Sequence, residues 1–282
     1  MPFRMGFSRK SGRFGLLAAM IMVVAACATP MPHKDDPLEG LNRKVYAFND
    51  VADRAVIRPV AVGYRKVTNA TTRRLISNFF SNIEEPITIA NDVLQANLPE
   101  AFKATSRFAI NTTIGVVGFF DPASELGIHA SDTDFGVTLA KWGVPDGPYL
   151  VLPLYGSTSL RDIWRLPVDN YFDPIWQFTE ANHFQFHAQY LSEASYLVTL
   201  RAAGIDAEGL LEGAYDPYVF YRDAYWQHRL FKIYRGEPPL EAIQALQGAT
   251  ELEDADKLLE EQEKYQKQQP QKDDKGDKPD RG

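Results

Sequence analysis

The chain of 282 residues contains a single cysteine, Cys27, and this scarcity excludes several kinds of chemistry. One thiol cannot form a disulfide within a chain, and it cannot build a cysteine-ligated zinc site. Beyond residue 27 no hydrophobic run reaches the roughly 20 residues that a membrane-spanning helix needs. The most apolar stretch there, Tyr149 to Tyr155, is interrupted by Pro153.

Signatures of catalysis are also missing. The chain has no nucleophile elbow, no Walker loop and no dinucleotide fingerprint. His183 and His187 share a helix face, but Phe184 stands where zinc proteases carry glutamate, so we interpret both as surface or packing residues. The sequence therefore predicts no enzyme, no metal and no soluble cofactor. A lipid hydrolase using Ser157 or these histidines remains a rival hypothesis without identified partner residues.

Acidic residues beside prolines are a recurrent feature of the chain. A carboxylate before proline is typical of a helix start, where its oxygen accepts a backbone N–H. We therefore predict helix starts rather than acid–base pairs at Asp36, Glu85, Asp121, Asp173 and Asp216.

Positive charge is in short supply, and part of it is concentrated at the N-terminus. The net charge is −7, and four of the 30 basic residues, but none of the 37 acidic ones, precede residue 14. Without them the chain has 26 basic residues against 37 acidic ones, a net charge of −11. Such a protein is a poor nucleic-acid binder, and anionic lipid does not attract it electrostatically.

The first 26 residues have the three parts of a lipoprotein signal peptide. A basic segment precedes the apolar run 14–26, which is too short to span a bilayer permanently, and small residues then precede Cys27. We predict cleavage before Cys27, which would carry a diacylglycerol and an N-acyl chain as the membrane anchor. Ala28, rather than aspartate, favours sorting to the outer membrane. Residues 27–35 would form a tether.

Apolar spacing predicts a mainly α protein with one domain over 36–239. Helices are expected from Asp36, over 70–83, from Pro86 to about Ala96 and from Asn97, with Asp121 and Asp132 or Thr133 as later caps. Gly143 would end a helix, residues 143–158 would be extended or looped, and further helices would cover 181–203 and 216–235. A polar helix over 240–267 and a disordered tail over 268–282 would complete the chain.

Two stretches rich in glycine stand out. In the first, Ile114 to Phe120, the large apolar side chains would fit a buried connection or a mobile hairpin that touches lipid, and we favour the buried connection. The second stretch, Trp142 to Tyr149, would suit a hinge or a tight turn equally well.

Several segments resemble the MlaA/VacJ family of outer-membrane lipoproteins, and they lie in the family's order along residues 36–229. The matching segments are 36–49, 57–62, 77–86, 107–115, 143–162 and 216–225. The resemblance implies a single helical ring-shaped domain with a central amphipathic channel, placed in the inner leaflet of the outer membrane. It also implies partnership with a trimeric porin and with a periplasmic lipid carrier that receives misplaced phospholipid, with no covalent reaction.

The resemblance also suggests roles for individual residues. A hairpin beside the channel would include Ile114, Gly115, Val117, Gly118 and Phe119, and Val45 would lie near the channel on the first helix. The adjoining hinge would contain Gly143, Pro145 and Gly147. Pro145 departs from the family, which often has glycine there, and proline restricts φ.

Besides the lipid-hydrolase hypothesis, two questions remain open: whether the protein transports lipid at all, and what its C-terminal segment contacts. A structural envelope lipoprotein without lipid transport would explain the anchor and the lack of catalytic motifs. The polar C-terminal segment would either contact the carrier or remain solvated, and we favour the second.

Overall fold

The structure is a computed structural model that describes residues 36–181, 185–209 and 214–246, with the backbone alone over 179–181 and 185–190. The predicted signal peptide, Cys27, the tether, His183 and the segment from 247 onward lie outside the described residues, as does the side chain of His187. Residues 240–246 are helical, in agreement with the start of the predicted polar helix.

The described chain is mainly α-helical, as the sequence predicts. Its α-helices include α1 Glu39–Ala52, α2 Arg58–Val67, α3 Ala70–Leu94, α4 Leu98–Thr113, α5 Pro122–Glu125, α6 Phe135–Lys141, α7 Arg165–Phe172, α8 Pro174–Ala181, α9 Gln185–Gly204 and α10 Pro217–Ile233. A π-helical turn, Asp53–Ile57, joins α1 to α2, and short 3₁₀ turns, Asp162–Trp164 and Ile205–Ala207, precede α7 and follow α9. Helix α7 was not predicted, and α8 was predicted only through its start at Asp173, because each covers only eight residues.

The predicted extended stretch forms a small antiparallel hairpin. Strand β1, Tyr149–Leu152, pairs with β2, Gly156–Ser159, in a register that places Tyr149 opposite Ser159. Tyr149 and Val151 point into the main apolar cluster together with Tyr218 and Trp226 from α10. The hairpin therefore joins the first helix to the last helix of the domain.

The contacts between elements form a closed circuit. Helix α1 packs on β1, β2 on α10, α10 on α6, α6 on α3, α3 on α9, α9 on α2, and α2 returns to α1 through the π-helical turn. Helix α4 packs along α3 outside this circuit. The elements of this circuit therefore form a closed ring of contacts.

Two asparagines of α1 complete the free edge of β1. Asn42 Nδ2 donates to the Tyr149 carbonyl at 2.9 Å and its Oδ1 accepts from Val151 N at 3.0 Å. One heptad later, Asn49 repeats the pattern with the Leu152 carbonyl at 2.9 Å and Leu154 N at 2.7 Å. Side-chain amides thus replace the backbone partners of a third strand, and they fix the hairpin against α1.

We expect Asn42→Ala to lower the free energy of unfolding by about 2–3 kcal/mol, because it leaves a buried carbonyl and a buried N–H unpaired. Urea unfolding of the purified protein in detergent, followed by tryptophan fluorescence, measures this change. Lys44→Ala, at an exposed position on the same helix, is the matched control and should leave stability within about 0.5 kcal/mol. Equal stability of the two variants would show that the amide does not hold the hairpin.

Three helix-boundary predictions were wrong. Helix α3 continues through Pro86 rather than restarting there, because its flanks are held by packing on α4 and by a buried ion pair in which Arg107 Nε lies 2.8 Å from Glu85 Oε1. Glu85 therefore begins no helix. The cap of α6 is Asp134, which accepts from Val137 N at 2.9 Å, and not Asp132 or Thr133.

Other helix starts agree with the prediction. Asp121 accepts from Ser124 N at 3.1 Å, Asp173 from Ile175 N at 2.7 Å and Asp216 from Tyr218 N at 2.9 Å. At the first helix Asp36 accepts from Leu38 N at 3.1 Å, but the helix begins only at Glu39.

Candidate functional site: an inner recess in an inverted protein

The polarity of the described residues is inverted relative to a soluble globular protein. The buried set contains ten apolar side chains, five of them alanine, and 19 polar or charged ones. Large apolar side chains instead lie on the outside, and those of α1 are Leu41, Phe48 and Val51, each more than half exposed. Soluble monomers rarely expose so much apolar surface.

Buried charges hold the inside together. Arg229 of α10 lies between two carboxylates, with Nη1 2.6 Å from Asp134 Oδ2 and Nε 2.7 Å from Asp162 Oδ2. Lys232 Nζ reaches Asp134 Oδ2 at 3.1 Å and Asp132 Oδ1 at 2.8 Å. The Tyr225 hydroxyl donates to Asp162 at 2.6 Å. This group, which we call the charge cluster, ties α10 to α6 and to the 3₁₀ turn after the hairpin.

The pKa values in the charge cluster follow from these contacts. Burial alone would raise the pKa of Asp134, but the charges of Lys232 and Arg229 hold it far below its usual value. Burial would lower the pKa of Arg229, and Asp134 and Asp162 raise it instead. Asp134 and Arg229 are therefore ionised at neutral pH, and each depends on its neighbours for compensation.

Several other ionisable side chains are open to solvent and yet desolvated by the protein around them. Glu84 of α3 is exposed, but desolvation raises its pKa despite a hydrogen bond from the Tyr196 hydroxyl. Tyr155, at the turn of the hairpin, is 47% exposed, and burial again raises its pKa. The exposed His228 of α10 has a pKa lowered by desolvation. Such side chains have many protein atoms around them although part of their surface reaches solvent.

These residues lie near one another. The charge of Asp132 affects the pKa of Glu84, Tyr196 and His228, and the charge of Arg165 affects those of Tyr155 and Tyr196. They come from α3, α9, α10, α7, the hairpin and the loop before α6, which are members of the contact circuit or lie beside it. We call the space bordered by Glu84, Asp132, Tyr155, Tyr196 and His228 the inner recess. Its border carries carboxylate, hydroxyl and imidazole groups, so it is polar.

The stretch 114–120, which we call the apolar loop, is a series of tight turns lying on α3. Its five large side chains are exposed, from 38% for Phe119 to 70% for Ile114, while Gly115 and Gly118 are buried. The favoured prediction of a buried connection was therefore wrong for these side chains. The buried positions belong to the glycines, because a Cβ at Gly118 would lie 2.4 Å from Asn82 Cβ.

Two contacts fix the apolar loop to α3. The rings of Phe79 and Phe119 stack with their centroids 5.0 Å apart, and Asn78 Nδ2 donates to the Phe119 carbonyl at 3.2 Å. Val116 and Val117 have φ values of 55° and 58°, a conformation that is strained for β-branched residues. The loop is thus an apolar surface held in place under strain.

The remaining residues suggested by the resemblance lie elsewhere. Val45 is half-buried and packs on the main apolar cluster. Gly143, with φ of +86°, ends α6, as predicted from its sequence position. Gly147 has φ of +67°, and Pro145 lies between the two. The segment is tied to the hairpin, since Arg161 N donates to the Asp146 carbonyl at 3.0 Å. Roles for these residues in a channel, hairpin or hinge stay predictions.

The rival catalytic residues gain no support from the described part of the chain. The Ser157 hydroxyl shares a hydrogen bond of 2.7 Å with the Tyr149 hydroxyl on the neighbouring strand. Within the described ranges no group of three metal-ligating side chains forms a metal site. None of the described helices combines the length and the apolar character needed to cross a bilayer.

The residues around the inner recess were not identified from the sequence. Glu84 and the members of the charge cluster are separated by up to about 150 positions and share no motif. One signal was available: Arg73, Ser77, Ser81 and Glu84 follow each other at helical spacing and form a polar stripe on α3.

Comparison with known proteins agrees with this architecture. The sequence profile described as MlaA lipoprotein matches residues 34–232. The chain is 35% identical over 245 residues to the "Intermembrane phospholipid transport system lipoprotein MlaA" of Escherichia coli K12, covering 82% of this chain and 95% of that protein. It is 40% identical over 191 residues to an uncharacterized protein of Rickettsia typhi, covering 67% of this chain and 74% of its relative.

A solved structure shares the fold. It is described as "Structural basis for maintenance of bacterial outer membrane lipid asymmetry", and it superposes with a TM-score of 0.61 at 34% identity, over 71% of this chain and 99% of the other. The family profile covers most of the described residues, and two independent likenesses exceed 30% identity. The chain therefore belongs to the MlaA lipoprotein family.

Proposed function

We propose that this protein is a phospholipid conduit of the outer membrane, which removes phospholipid from the outer leaflet and passes it towards the periplasm. The observation that supports this most strongly is the combination of an apolar outer face with a polar inner recess inside a closed ring. An apolar exterior lets the ring lie within a leaflet, and a polar interior gives a charged headgroup a path across it. The names of the relatives in Escherichia coli and Haemophilus influenzae agree with this role.

The proposal includes an anchor and partners. Acylated Cys27 would hold the protein to the membrane, with the ring in the inner leaflet of the outer membrane. A trimeric porin would support the ring laterally, and a periplasmic lipid carrier would accept the phospholipid. The exposed apolar side chains of α1 and of the apolar loop are the surfaces available for lipid or porin. Transfer of intact lipid requires no bond to be made or broken, so we propose no enzymatic activity.

Surface-exposed phospholipid in a strain that lacks the protein tests this function. We expect the strain to accumulate phospholipid in the outer leaflet, and the wild-type gene to remove it. Cys27→Ala, which cannot be acylated, should fail to remove it although the folded domain is unchanged. If surface phospholipid is the same with and without the protein, the transport role is wrong and a structural envelope lipoprotein becomes the better account.

A further inference from the structure

A side cavity of about 150 Å³ opens between α2, α3 and α9. Its lining includes Tyr64, Arg73, Ser77, Ser81, Tyr196 and Thr199. Tyr196 also hydrogen-bonds to Glu84 at the inner recess, so one side chain borders both spaces. Tyr196 therefore lies between the side cavity and Glu84.

Hydroxyl groups in the side cavity are available to a ligand. The Tyr64 hydroxyl is buried and has no hydrogen-bond partner. Thr199 donates to the carbonyl one turn earlier in its helix, at 2.9 Å, as serine and threonine commonly do. No such bond engages Ser77 or Ser81 within the described part of the chain. The buried Tyr64 hydroxyl without a partner is unfavourable, and the exposed Ser77 and Ser81 hydroxyls are free to donate to a ligand or to water.

Arg73 adds positive charge beside these donors. Its Nη1 donates to the carbonyls of Thr68 at 2.6 Å and Arg65 at 3.3 Å, which are neutral acceptors. Among the described residues no carboxylate lies within ion-pair distance of it. Guanidinium and hydroxyl donors converging on one cavity are the groups that bind a phosphate.

The Glu84 carboxylate lies at the C-terminal end of the polar stripe on α3. Ser77, Ser81 and Glu84 share one face of α3, and Glu84 lies three residues after Ser81, which is about 4.5 Å along the helix axis. The Glu84 carboxylate is exposed to the recess, and its hydrogen bond comes from the neutral Tyr196. Ser81, the nearest of these donors, and the Glu84 carboxylate thus stand about one helical turn apart, with Ser77 one further turn away.

We infer that the side cavity and Glu84 together bind the headgroup of an aminophospholipid, with the phosphate at Ser77 and Ser81, the positive charge of Arg73 further along the cavity, and the ammonium at Glu84. This inference rests on the proposed function and specifies its substrate class. A phosphoethanolamine headgroup carries both charges and N–H donors for the carboxylate. A phosphatidylglycerol headgroup offers Glu84 only neutral hydroxyls, and a choline headgroup has no N–H to donate.

The test measures which phospholipid the purified full-length chain retains. The protein in dodecyl maltoside is incubated with equal amounts of phosphatidylethanolamine and phosphatidylglycerol carrying the same acyl chains, repurified, and its bound lipid is quantified by mass spectrometry. We expect phosphatidylethanolamine to be enriched about tenfold over phosphatidylglycerol. This is the change in binding ratio expected from one additional charge-assisted hydrogen bond. Glu84→Gln should bring the ratio to about one while total bound lipid persists. Ser77→Ala with Ser81→Ala should lower the binding of both lipids.

Matched controls keep the result specific. Glu125→Gln removes an exposed carboxylate outside the recess, and Ser106→Ala removes a hydroxyl that donates to the Phe102 carbonyl, so neither should change the ratio or the amount. Equal retention of both lipids by the wild type, or a ratio unchanged in Glu84→Gln, would overturn the headgroup site. Retention of no phospholipid at all would instead contradict the proposed function itself.

Discussion

Replacing Arg229 by methionine should lower the free energy of unfolding by about 3–5 kcal/mol, because it leaves Asp134 and Asp162 buried without their shared cation. Arg229 is buried, and each of its contacts is to a carboxylate that other elements supply. The measurement is urea unfolding in detergent, together with the amount of protein in the envelope. Loss of a single buried charge is costly here because the surrounding medium offers little water to compensate it.

Two further variants make this prediction specific. Arg54→Met removes an exposed arginine that pairs with Asp50 at 3.0 Å, and it should change stability by no more than about 0.5 kcal/mol. Adding Asp162→Asn to Arg229→Met should recover part of the loss, because one uncompensated carboxylate is then removed. If Arg229→Met unfolds within about 1 kcal/mol of the wild type, the charge cluster does not hold α10 in the ring.

Gly118→Ala should destabilise the protein by about 2–4 kcal/mol and detach the apolar loop from α3. The added Cβ would lie 2.4 Å from Asn82 Cβ, and a φ of +89° strains any residue with a side chain. Detachment is measured as faster proteolytic cleavage within 114–120, and stability by urea unfolding. Loss of the Phe79–Phe119 stack is the structural reason for the expected cleavage.

Gly143→Ala is the matched control for this substitution. Gly143 has nearly the same backbone conformation, with φ of +86°, but no atom lies within 4 Å of its added Cβ. It should therefore cost only the conformational strain, about 1 kcal/mol. If the two variants are equally stable, the close approach of Gly118 to Asn82 does not affect stability, and the apolar loop is not packed tightly against α3.

Helical spacing predicted α1, but it did not predict which face of the helix is buried and which is exposed. Periodicity shows which residues share a face, and it does not show what covers that face. In a water-soluble protein Leu41, Phe48 and Val51 would be the buried side, whereas here Asn42 and Asn49 hold the interior and the leucine and valine face outward. The resemblance to a membrane-associated family was the only guide to this inversion.

Local rules also failed where distant contacts dominate. Pro86 is a sound signal for a helix break, but the buried ion pair between Glu85 and Arg107 and the packing of α4 keep α3 continuous. The charge cluster joins Asp134 to Arg229, which are 95 residues apart, and no sequence pattern links such positions. By contrast, the caps at Asp121, Asp173 and Asp216 were predictable, because a helix cap is decided within a few residues.

The central claim is that phospholipid crosses the membrane plane through the inside of the ring. Surface-exposed phospholipid in cells producing only Ser81→Trp tests it most directly, because the indole would fill the side cavity beside the inner recess while the outer face stays unchanged. Ser106→Trp, at a partly exposed position on α4 outside the side cavity, is the matched control. We expect Ser81→Trp to be as abundant as the wild type yet unable to clear surface phospholipid, and Ser106→Trp to clear it. Full clearance by Ser81→Trp would contradict an interior route.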